Sequence, residues 1–300
     1  MDTMVSEEKS SILLTFDVED WFQVENFKAH IEFSTWNSFE PRVEKSTNVI
    51  LDLLDSFSFK PKATFFTLGW IAKKFPHLVK EIRKRGHEIA SHGVDHHLCT
   101  RLSVDELLRD LTDSRHLLED LTGENVKGYR APSFAIDDEI LKIIHKAGYL
   151  YDSSYNSFSA HGRYGTIDLS GALKLKYGYQ IKDNFFELPL SNLTLFNTVI
   201  PFGGGGYFRL MPFPVFRAGV KQILKQNKSF VFYSHPWEFD PDQPRVNQAS
   251  PWFKFRHYVN LNRTGKKLKT LISAFADSQF LTCSDYLRNH CVNIKKHEPV

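Results

Sequence analysis

Residues 11–17 read Ser-Ile-Leu-Leu-Thr-Phe-Asp, a continuous apolar run that ends on a carboxylate. A run without polar alternation is typical of a parallel strand that is covered on both faces. Similar runs lie at 63–68 and 229–233, and segments with helical periodicity follow most of them. Strand followed by helix, about seven times without internal sequence repeats, predicts an α/β fold around a parallel sheet.

Three other segments carry specific predictions. The spacing of apolar residues predicts one helix over 69–85. Residues 153–185 are rich in Ser, Tyr and Gly and are predicted to be a loop. The glycine run at 203–206 lacks the GxxxxGK[ST] pattern of a phosphate loop. We therefore expect a flexible loop there, or a close approach of the backbone to a ligand.

Five predicted strands deliver a polar side chain at their carboxyl ends. These are Asp17, His92, Arg130, Asp152 and His235. In (β/α) barrels the loops at this edge of the sheet build the active site. We therefore expect the five side chains to converge on a site, the alternative being five unrelated polar residues.

Three histidines, His92, His96 and His97, lie within six residues of one another. On a helical turn, or at a tight corner between strand and helix, their spacing brings His92 and His96 to one side. Two imidazoles and a carboxylate are the usual ligands of a catalytic zinc or a similar divalent metal. The alternative is a histidine-rich surface loop. An HExxH motif is excluded, because position 91 is Ser.

Three carboxylates, Asp17, Glu19 and Asp20, stand beside Trp21 and Phe22. An acidic surface turn is the alternative to a site, but two large aromatic residues favour burial. One of these carboxylates could bind the metal. Another could take a proton from the metal-bound water as general base.

The remaining strand-end residues suit supporting roles. Arg130 could orient the basic carboxylate, and His235 could protonate a leaving nitrogen as general acid. Asp152 could hold that imidazole in the right tautomer and raise its pKa. Together these groups predict a hydrolase that acts on an amide or ester. A serine nucleophile is not expected, because the GxSxG motif is absent.

Composition and charge exclude several classes of protein. The formal net charge is +3, without a basic stripe interleaved with aromatic residues, so no nucleic-acid partner is expected. The three cysteines, Cys99, Cys283 and Cys291, argue against a disulfide framework and fit a reducing compartment. No stretch approaches ~18 consecutive apolar residues, and no signal-peptide pattern precedes the first strand. We therefore expect no integral membrane segment and a cytoplasmic location. The oligomeric state is not predicted.

Five short motifs resemble, in their order along the chain, those of a known family. They are TFDVED (15–20), SHGVDH (91–96), YRAPSF (129–134), YDSS (151–154) and FYSHP (232–236). The ordered set is similar to the polysaccharide deacetylases of the NodB-homology, carbohydrate esterase family 4 type. The runs at 203–212 and 235–245 further resemble a subgroup associated with exopolysaccharide and lipopolysaccharide loci.

This resemblance implies a distorted (β/α)7 barrel and a metal-dependent hydrolase. The reaction would remove an N-acetyl group from an amino sugar in a polysaccharide, lipopolysaccharide or glycan precursor. Asp17 would be the base, oriented by Arg130, and His235 the acid, tuned by Asp152. The metal would be divalent, zinc first, with cobalt, nickel or iron as alternatives.

The resemblance also implies the metal ligands and substrate contacts. His92 and His96 would bind the metal. The family usually has two adjacent aspartates in its first motif, but Val18 stands in the second place here. The third ligand would then be Glu19, with Asp20 as the alternative.

The peptide N–H near Ser133 would stabilise an oxyanion, and aromatic side chains would line the sugar groove. The residues expected to contact substrate are Trp21, Pro132, Ser133, Phe134 and Trp237. Because Ser133 replaces a common tyrosine, the groove would differ in shape from that of other members.

Two other functions stay open from the sequence. The chain could be an amidohydrolase of the same superfamily that acts on a small non-sugar amide. It could also be a carbohydrate-binding barrel without catalysis, although such a protein would need neither Asp17 nor His235. For the leading function we expect an N-acetylated saccharide as partner. We also expect one domain over 1–300, with a helical extension from about residue 245.

Overall fold

The computed structural model describes residues 9–158, 164–196 and 198–290. Its strands are β1 (Ser11–Val18), β2 (Ala63–Thr67), β3 (Glu88–Ser91), β4 (Gly128–Tyr129), β5 (Tyr151–Asp152), β6 (Leu173–Lys174), β7 (Tyr179–Lys182), β8 (Phe185–Glu187), β9 (Asn192–Leu195), β10 (Thr198–Pro201), β11 (Ser229–Ser234) and β12 (Gln279–Phe280). Its α-helices are α1 (Val43–Asp55), α2 (Gly69–Lys74), α3 (Pro76–Lys84), α4 (Val104–Thr122), α5 (Asp138–Lys146), α6 (Gly205–Leu210), α7 (Phe213–Asn227), α8 (Pro251–Tyr258), α9 (Thr264–Ala274) and α10 (Cys283–His290).

One sheet of ten strands organises the fold. Its parallel part follows the order β11, β1, β2, β3, β4, β5, β8, and β7 and β6 continue it antiparallel. This confirms the α/β fold around a parallel sheet. Within the described ranges no strand ladder joins β8 to β11, so the barrel is distorted and open at this seam. Ser191 Oγ bridges the seam by accepting a hydrogen bond from Val231 N at 2.8 Å.

Side chains along β1 point alternately into the hydrophobic core and into the barrel. All eight residues of β1 are buried. Ile12, Leu14 and Phe16 belong to the main core cluster beneath the helices. Because successive side chains of a strand point to opposite faces, Thr15 and Asp17 point the other way, into the barrel. The strand therefore buries a carboxylate where the seven parallel strands converge.

Two predicted segments differ from the structure. The helix expected over 69–85 is divided into α2 and α3, because Pro76 has no N–H to continue the first helix and suits the first turn of the second. The loop expected over 153–185 contains β6 and β7 in its described part, and these strands extend the sheet beyond β8. β6 is exposed and most of β7 is half-buried, and neither strand alternates between buried and exposed side chains.

The glycine run is also not the flexible loop that was predicted. Gly205 and Gly206 begin helix α6. A Cβ on Gly204 would lie 2.8 Å from the ring of Tyr233, and one on Gly203 would lie 2.6 Å from the carbonyl oxygen of Val231. The glycines thus allow a close approach to β11 of the same chain.

Cys99 and Cys283 are buried free thiols, and Cys291 lies outside the described residues. Within the described part of the chain, every helix is too short or too polar to cross a membrane.

Candidate active site

The strand-end residues gather at the carboxyl edge of the sheet, as predicted. Asp17 lies near the end of β1, His92 directly after β3, Arg130 after β4 and His235 after β11. Asp152 ends β5 and belongs to a different set of contacts. Four of the five residues therefore form one connected site.

Glu19 and two histidines form a candidate metal centre. Glu19 Oε1 lies 3.1 Å from His92 Nε2 and 3.1 Å from His96 Nε2. All three side chains are at most 5% exposed. A tight corner brings the two imidazoles together, with Gly93 at φ +77° between them. A Cβ at Gly93 would lie 2.8 Å from Asp110 Oδ2, so glycine is required there.

The donor set fits a divalent cation. His92 Nδ1 lies 2.7 Å from the carbonyl oxygen of Arg130, to which it donates. In the neutral ring this leaves a lone pair on Nε2, directed at a carboxylate oxygen that can also only accept. A cation between the two acceptors resolves the conflict. Two imidazoles and one carboxylate suit zinc, cobalt, nickel or iron.

Asp20, the alternative ligand, has another role. Its Oδ2 accepts hydrogen bonds from the backbone N–H groups of Arg42 (2.7 Å) and Val43 (2.9 Å), and its Oδ1 accepts one from Trp21 (2.8 Å). Burial raises the pKa of Asp20 to about 6, although these hydrogen bonds oppose the change. Both oxygens are thus committed to the backbone at the start of α1. Of the two carboxylates, Glu19 is the one that faces the imidazoles.

Replacing Asp20 with Ala should destabilise the fold without removing the metal. The change leaves three backbone N–H groups at a buried helix start without their acceptor, which we expect to cost about 2 kcal/mol. Urea unfolding measures the free energy, and elemental analysis the metal content. Asp137→Ala is the matched control, because Asp137 caps α5 through a single N–H, that of Ile140. If the Asp20→Ala protein lost the metal while its free energy of unfolding stayed unchanged, the assigned capping role of Asp20 would be wrong.

Arg130 fixes the orientation of Asp17. Its side chain is completely buried, and its Nη1 donates to Asp17 Oδ1 at 2.7 Å and to Thr15 Oγ1 at 2.8 Å. Its Nε and Nη2 donate to the carbonyl and hydroxyl oxygens of Ser153. One carboxylate oxygen of Asp17 is thereby held. The other, Oδ2, lies 3.9 Å from His235 Nε2.

The carboxylate that holds His235 is Glu238, and the prediction of Asp152 is wrong. His235 Nδ1 lies 3.0 Å from Glu238 Oε1. Burial lowers the pKa of His235, but Glu19, Glu238 and Asp17 together raise it to about 9. The surrounding carboxylates thus favour the protonated form of His235.

Asp152 is occupied elsewhere in the barrel. Its two oxygens accept hydrogen bonds from Ser154 N (2.9 Å) and Ser154 Oγ (2.8 Å). It lies opposite Glu187 of β8, and burial raises the pKa of both carboxyl groups. Both oxygens of Asp152 are thus committed to Ser154, whereas the imidazole of His235 contacts Glu238.

Arg209 was not predicted from the sequence to belong to the site. It is 4% exposed, and its Nε donates to Glu238 Oε2 at 2.6 Å. Burial raises the pKa of Glu238, but Arg209 and His235 bring it down to about 2. A Cβ at Gly205 would lie 2.2 Å from Glu238 Oε1, which explains a glycine at the start of α6. In the sequence, the one signal for this arrangement was the spacing of His235 and Glu238, which lie three residues apart directly after a strand.

The cavity at this edge contains part of the predicted substrate surface. Ser133, Phe134 and Trp237 line it together with Asp17, Glu19 and His235. Trp237 stacks on the ring of His235 at 5.0 Å between ring centroids.

Trp21 and Pro132 do not line this cavity, contrary to the prediction. Trp21 is 4% exposed, packs edge-on against Phe22 and Phe39, and donates from Nε1 to the carbonyl oxygen of Glu40. Pro132 is buried at the start of a short 3-10 turn. Both residues support the loops around the site.

Two family models match the chain. The first, polysaccharide deacetylase, covers residues 5–151. The second, a domain of unknown function numbered 3473, covers 153–288. Residues 5–151, about half of the chain, thus belong to the polysaccharide deacetylase family.

Curated relatives align with roughly a third of this chain. A peptidoglycan deacetylase-like protein of Gibberella zeae is 35% identical over 111 residues, which are 37% of this chain and 33% of that protein. A peptidoglycan-N-acetylglucosamine deacetylase of Bacillus cereus is 35% identical over 103 residues, 34% of this chain and 47% of that protein. A chitooligosaccharide deacetylase of Azorhizobium caulinodans is 31% identical over 87 residues, 29% of this chain and 41% of that protein. The chain thus spans less than half the length of these relatives.

Solved structures share the deacetylase fold over nearly the whole chain. A protein from Mycobacterium smegmatis assigned to the polysaccharide deacetylases has a TM-score of 0.63 at 19% identity and covers 98% of this chain and 94% of its own. A carbohydrate esterase family 4 pseudoenzyme from Bacillus anthracis has a TM-score of 0.50 at 16% identity, covering 93% of this chain and 66% of its own. At these identities the likeness concerns the fold alone.

The site draws on both matched segments. Asp17, Glu19 and the two metal-facing histidines lie in the deacetylase match. His235 and its partner Glu238 lie in the second match. The second segment therefore supplies His235 and Glu238 to the site, together with β11, the strand beside β1.

Replacing Glu238 with Gln should move the basic limb of the pH profile of kcat/KM to lower pH. The carboxylate favours the protonated form of His235, so its loss lowers the pKa at which that proton is lost, by about 1 unit. Glu238 acts on the ring nitrogen that faces away from Glu19, so the effect does not depend on a cation bound there.

Asp152→Asn is the matched control, because it changes the carboxylate first predicted for this role and should leave the basic limb where it is. A shift with Asp152→Asn and none with Glu238→Gln would restore the original assignment.

Proposed function

We propose that the chain is a metal-dependent hydrolase that removes an N-acetyl group from an amino sugar in a polysaccharide, lipopolysaccharide or glycan precursor. The names of its relatives, which refer to peptidoglycan and chitooligosaccharide, support a saccharide substrate. Zinc as the metal, the exopolysaccharide subgroup and a cytoplasmic location stay predictions.

One observation carries the proposal: a base and an acid face each other beside the metal-type cluster. Asp17 Oδ2 lies 3.9 Å and Glu19 Oε1 3.8 Å from His235 Nε2. These separations are too long for hydrogen bonds and leave the three groups directed at a common space. An amide carbonyl, its nitrogen and an attacking water would meet there.

Glu19, His92 and His96 would hold the cation. When bound, a divalent cation lowers the pKa of a coordinated water and polarises the amide carbonyl. The chain's own residues hold this ligand set rigidly, since the carbonyl oxygen of Arg130 fixes the ring of His92.

Asp17 and His235 would move the protons of the reaction. Asp17 Oδ2 takes a proton from the attacking water as the new C–O bond forms, while Arg130 keeps Oδ1 in place. His235 Nε2 gives its proton to the amide nitrogen as the C–N bond breaks. Water and the N-acetyl sugar thus give the free amine and acetic acid, which ionises to acetate and a proton. The role of the peptide N–H near Ser133 stays a prediction.

Acetate release tests the proposal. The zinc- or cobalt-loaded protein is incubated with chitotetraose, peptidoglycan fragments and UDP-N-acetylglucosamine, and acetate is measured enzymatically. We expect release from at least one of them, its loss on chelation and its recovery on adding metal. Turnover of a small non-sugar amide with none of the saccharides would overturn the sugar assignment. Saccharide binding without any turnover would indicate a pseudoenzyme.

A further inference from the structure

Arg256, on helix α8, contributes a positive charge to the candidate active-site cavity. Its side chain is partly buried and lines the same cavity as Asp17 and His235. Among the described residues it forms no ion pair with a carboxylate within 4.0 Å. A guanidinium in a concave, partly desolvated site, with no carboxylate of the described residues within 4.0 Å, is a candidate to receive an anion.

The other charges of the cavity wall already have partners. Arg209 donates to Glu238 and to three backbone carbonyl oxygens. Asp17 is paired with Arg130, and Glu25 lies 3.6 Å from Lys28 Nζ. Of the two arginines that line this cavity in the described part of the chain, Arg256 is therefore the one without a carboxylate partner.

The backbone of Arg256 is fixed relative to the proposed acid. Arg209 Nη2 donates to the carbonyl oxygen of Arg256 at 3.1 Å, and Nη1 donates to that of His257 at 2.9 Å. The ring of His257 stacks on Trp237 at 4.1 Å, and Trp237 stacks on His235. The same buried arginine thus holds the partner of the acid and the turn of α8 that carries Arg256.

Tyr207 lines the same cavity as Arg256. Burial raises the pKa of Tyr207, and the charge of Arg256 lowers it. A guanidinium and a phenol hydroxyl group that line one cavity can both donate hydrogen bonds to an anionic group.

We propose that Arg256 binds an anionic group, a carboxylate or a phosphate, on the saccharide next to the sugar that carries the reacting N-acetyl group. This inference rests on the proposed function and specifies its substrate class as an acidic glycan or a phosphorylated glycan precursor. Neutral oligomers would bind the same cavity without this contact.

Binding to a turnover-deficient protein tests the anion contact. The zinc-loaded Asp17→Asn protein is titrated calorimetrically with chitotetraose (neutral), a hyaluronan tetrasaccharide (carboxylate) and UDP-N-acetylglucosamine (phosphate). We expect one of the two anionic ligands to bind about tenfold more tightly than chitotetraose, with an advantage that shrinks at high salt. Adding Arg256→Gln should abolish that advantage. Arg256→Lys should keep part of this affinity advantage for the phosphate ligand. It should keep less for the carboxylate ligand, because a carboxylate favours the bidentate contact that a guanidinium provides.

Lys254→Gln is the matched control, because it removes a positive charge from the same helix outside the cavity wall. Its Kd values should stay unchanged. Equal weakening of neutral and anionic ligands by Arg256→Gln, or no preference for either anion, would overturn the inference. If the protein with Asp17 intact still releases acetate from chitotetraose, the proposed function survives that result. Failure of every saccharide both to bind and to release acetate would remove the proposed function and this inference together.

Discussion

Replacing Asp17 with Asn is expected to lower kcat by about 10²–10⁴-fold while the metal stays bound. The amide keeps the size of the side chain, and its oxygen can still accept from Arg130, which holds Oδ1 at 2.7 Å. It cannot take up a proton at the position that faces His235. Asp17 groups with Glu19 and His235 rather than with the two imidazoles, so metal binding by Glu19, His92 and His96 should persist.

Single-turnover acetate release and metal content, measured on the same sample, check this result. Asp242→Asn is a suitable control, because it makes the same chemical change on the exposed part of the loop after β11. An Asp17→Asn protein that retained most of its kcat would show that another group acts as the base. An inactive protein that had also lost its metal would place Asp17 among the ligands.

Replacing Glu19 with Gln is expected to weaken metal binding by more than about 100-fold and to abolish turnover. The neutral amide removes the one negative charge in the set, and its oxygen is a poorer ligand than a carboxylate. His92→Ala should have the same two effects. Competition with a chromogenic chelator gives the metal affinity directly.

Asp20→Asn is the matched control for Glu19→Gln, since it neutralises the adjacent carboxylate. Asp20 binds backbone N–H groups, so this protein should keep the metal although it unfolds more easily. Metal loss with Asp20→Asn and retention with Glu19→Gln would reverse the assignment of the third ligand.

Much of the fold, and the gathering of strand-end residues at one edge of the sheet, could be predicted because they follow from local patterns. The run of apolar residues over 11–17 identified β1, and the carboxyl-end rule placed Asp17, His92 and His235 at one edge. Those inferences needed only the alternation of strands and helices. The break at Pro76 was readable in principle, since proline cannot continue a helix.

The errors concern orientation and distance, which one-dimensional patterns do not contain. Glu19 and Asp20 are chemically similar neighbours. A tight turn, in which Glu19 N donates to the carbonyl oxygen of Asp17 at 2.9 Å, directs one to the imidazoles and the other to α1. Asp152 also ends a strand near His235 in the predicted site, but its oxygens bind Ser154 and it is Glu238 that contacts the imidazole. Trp21 is aromatic and adjacent to the site, but its ring packs inward.

The pairing of β1 with β11 also affects how the protein folds. Residues Ser11 and Ser229 are partners in this ladder, although 218 positions separate them. Contacts of such long range form slowly, because a large loop must close before they stabilise anything. On the ribosome, this edge of β1 therefore stays without its partner until most of the chain has been made. An unpaired apolar edge is prone to aggregate, so expression should be sensitive to translation rate and to chaperone supply.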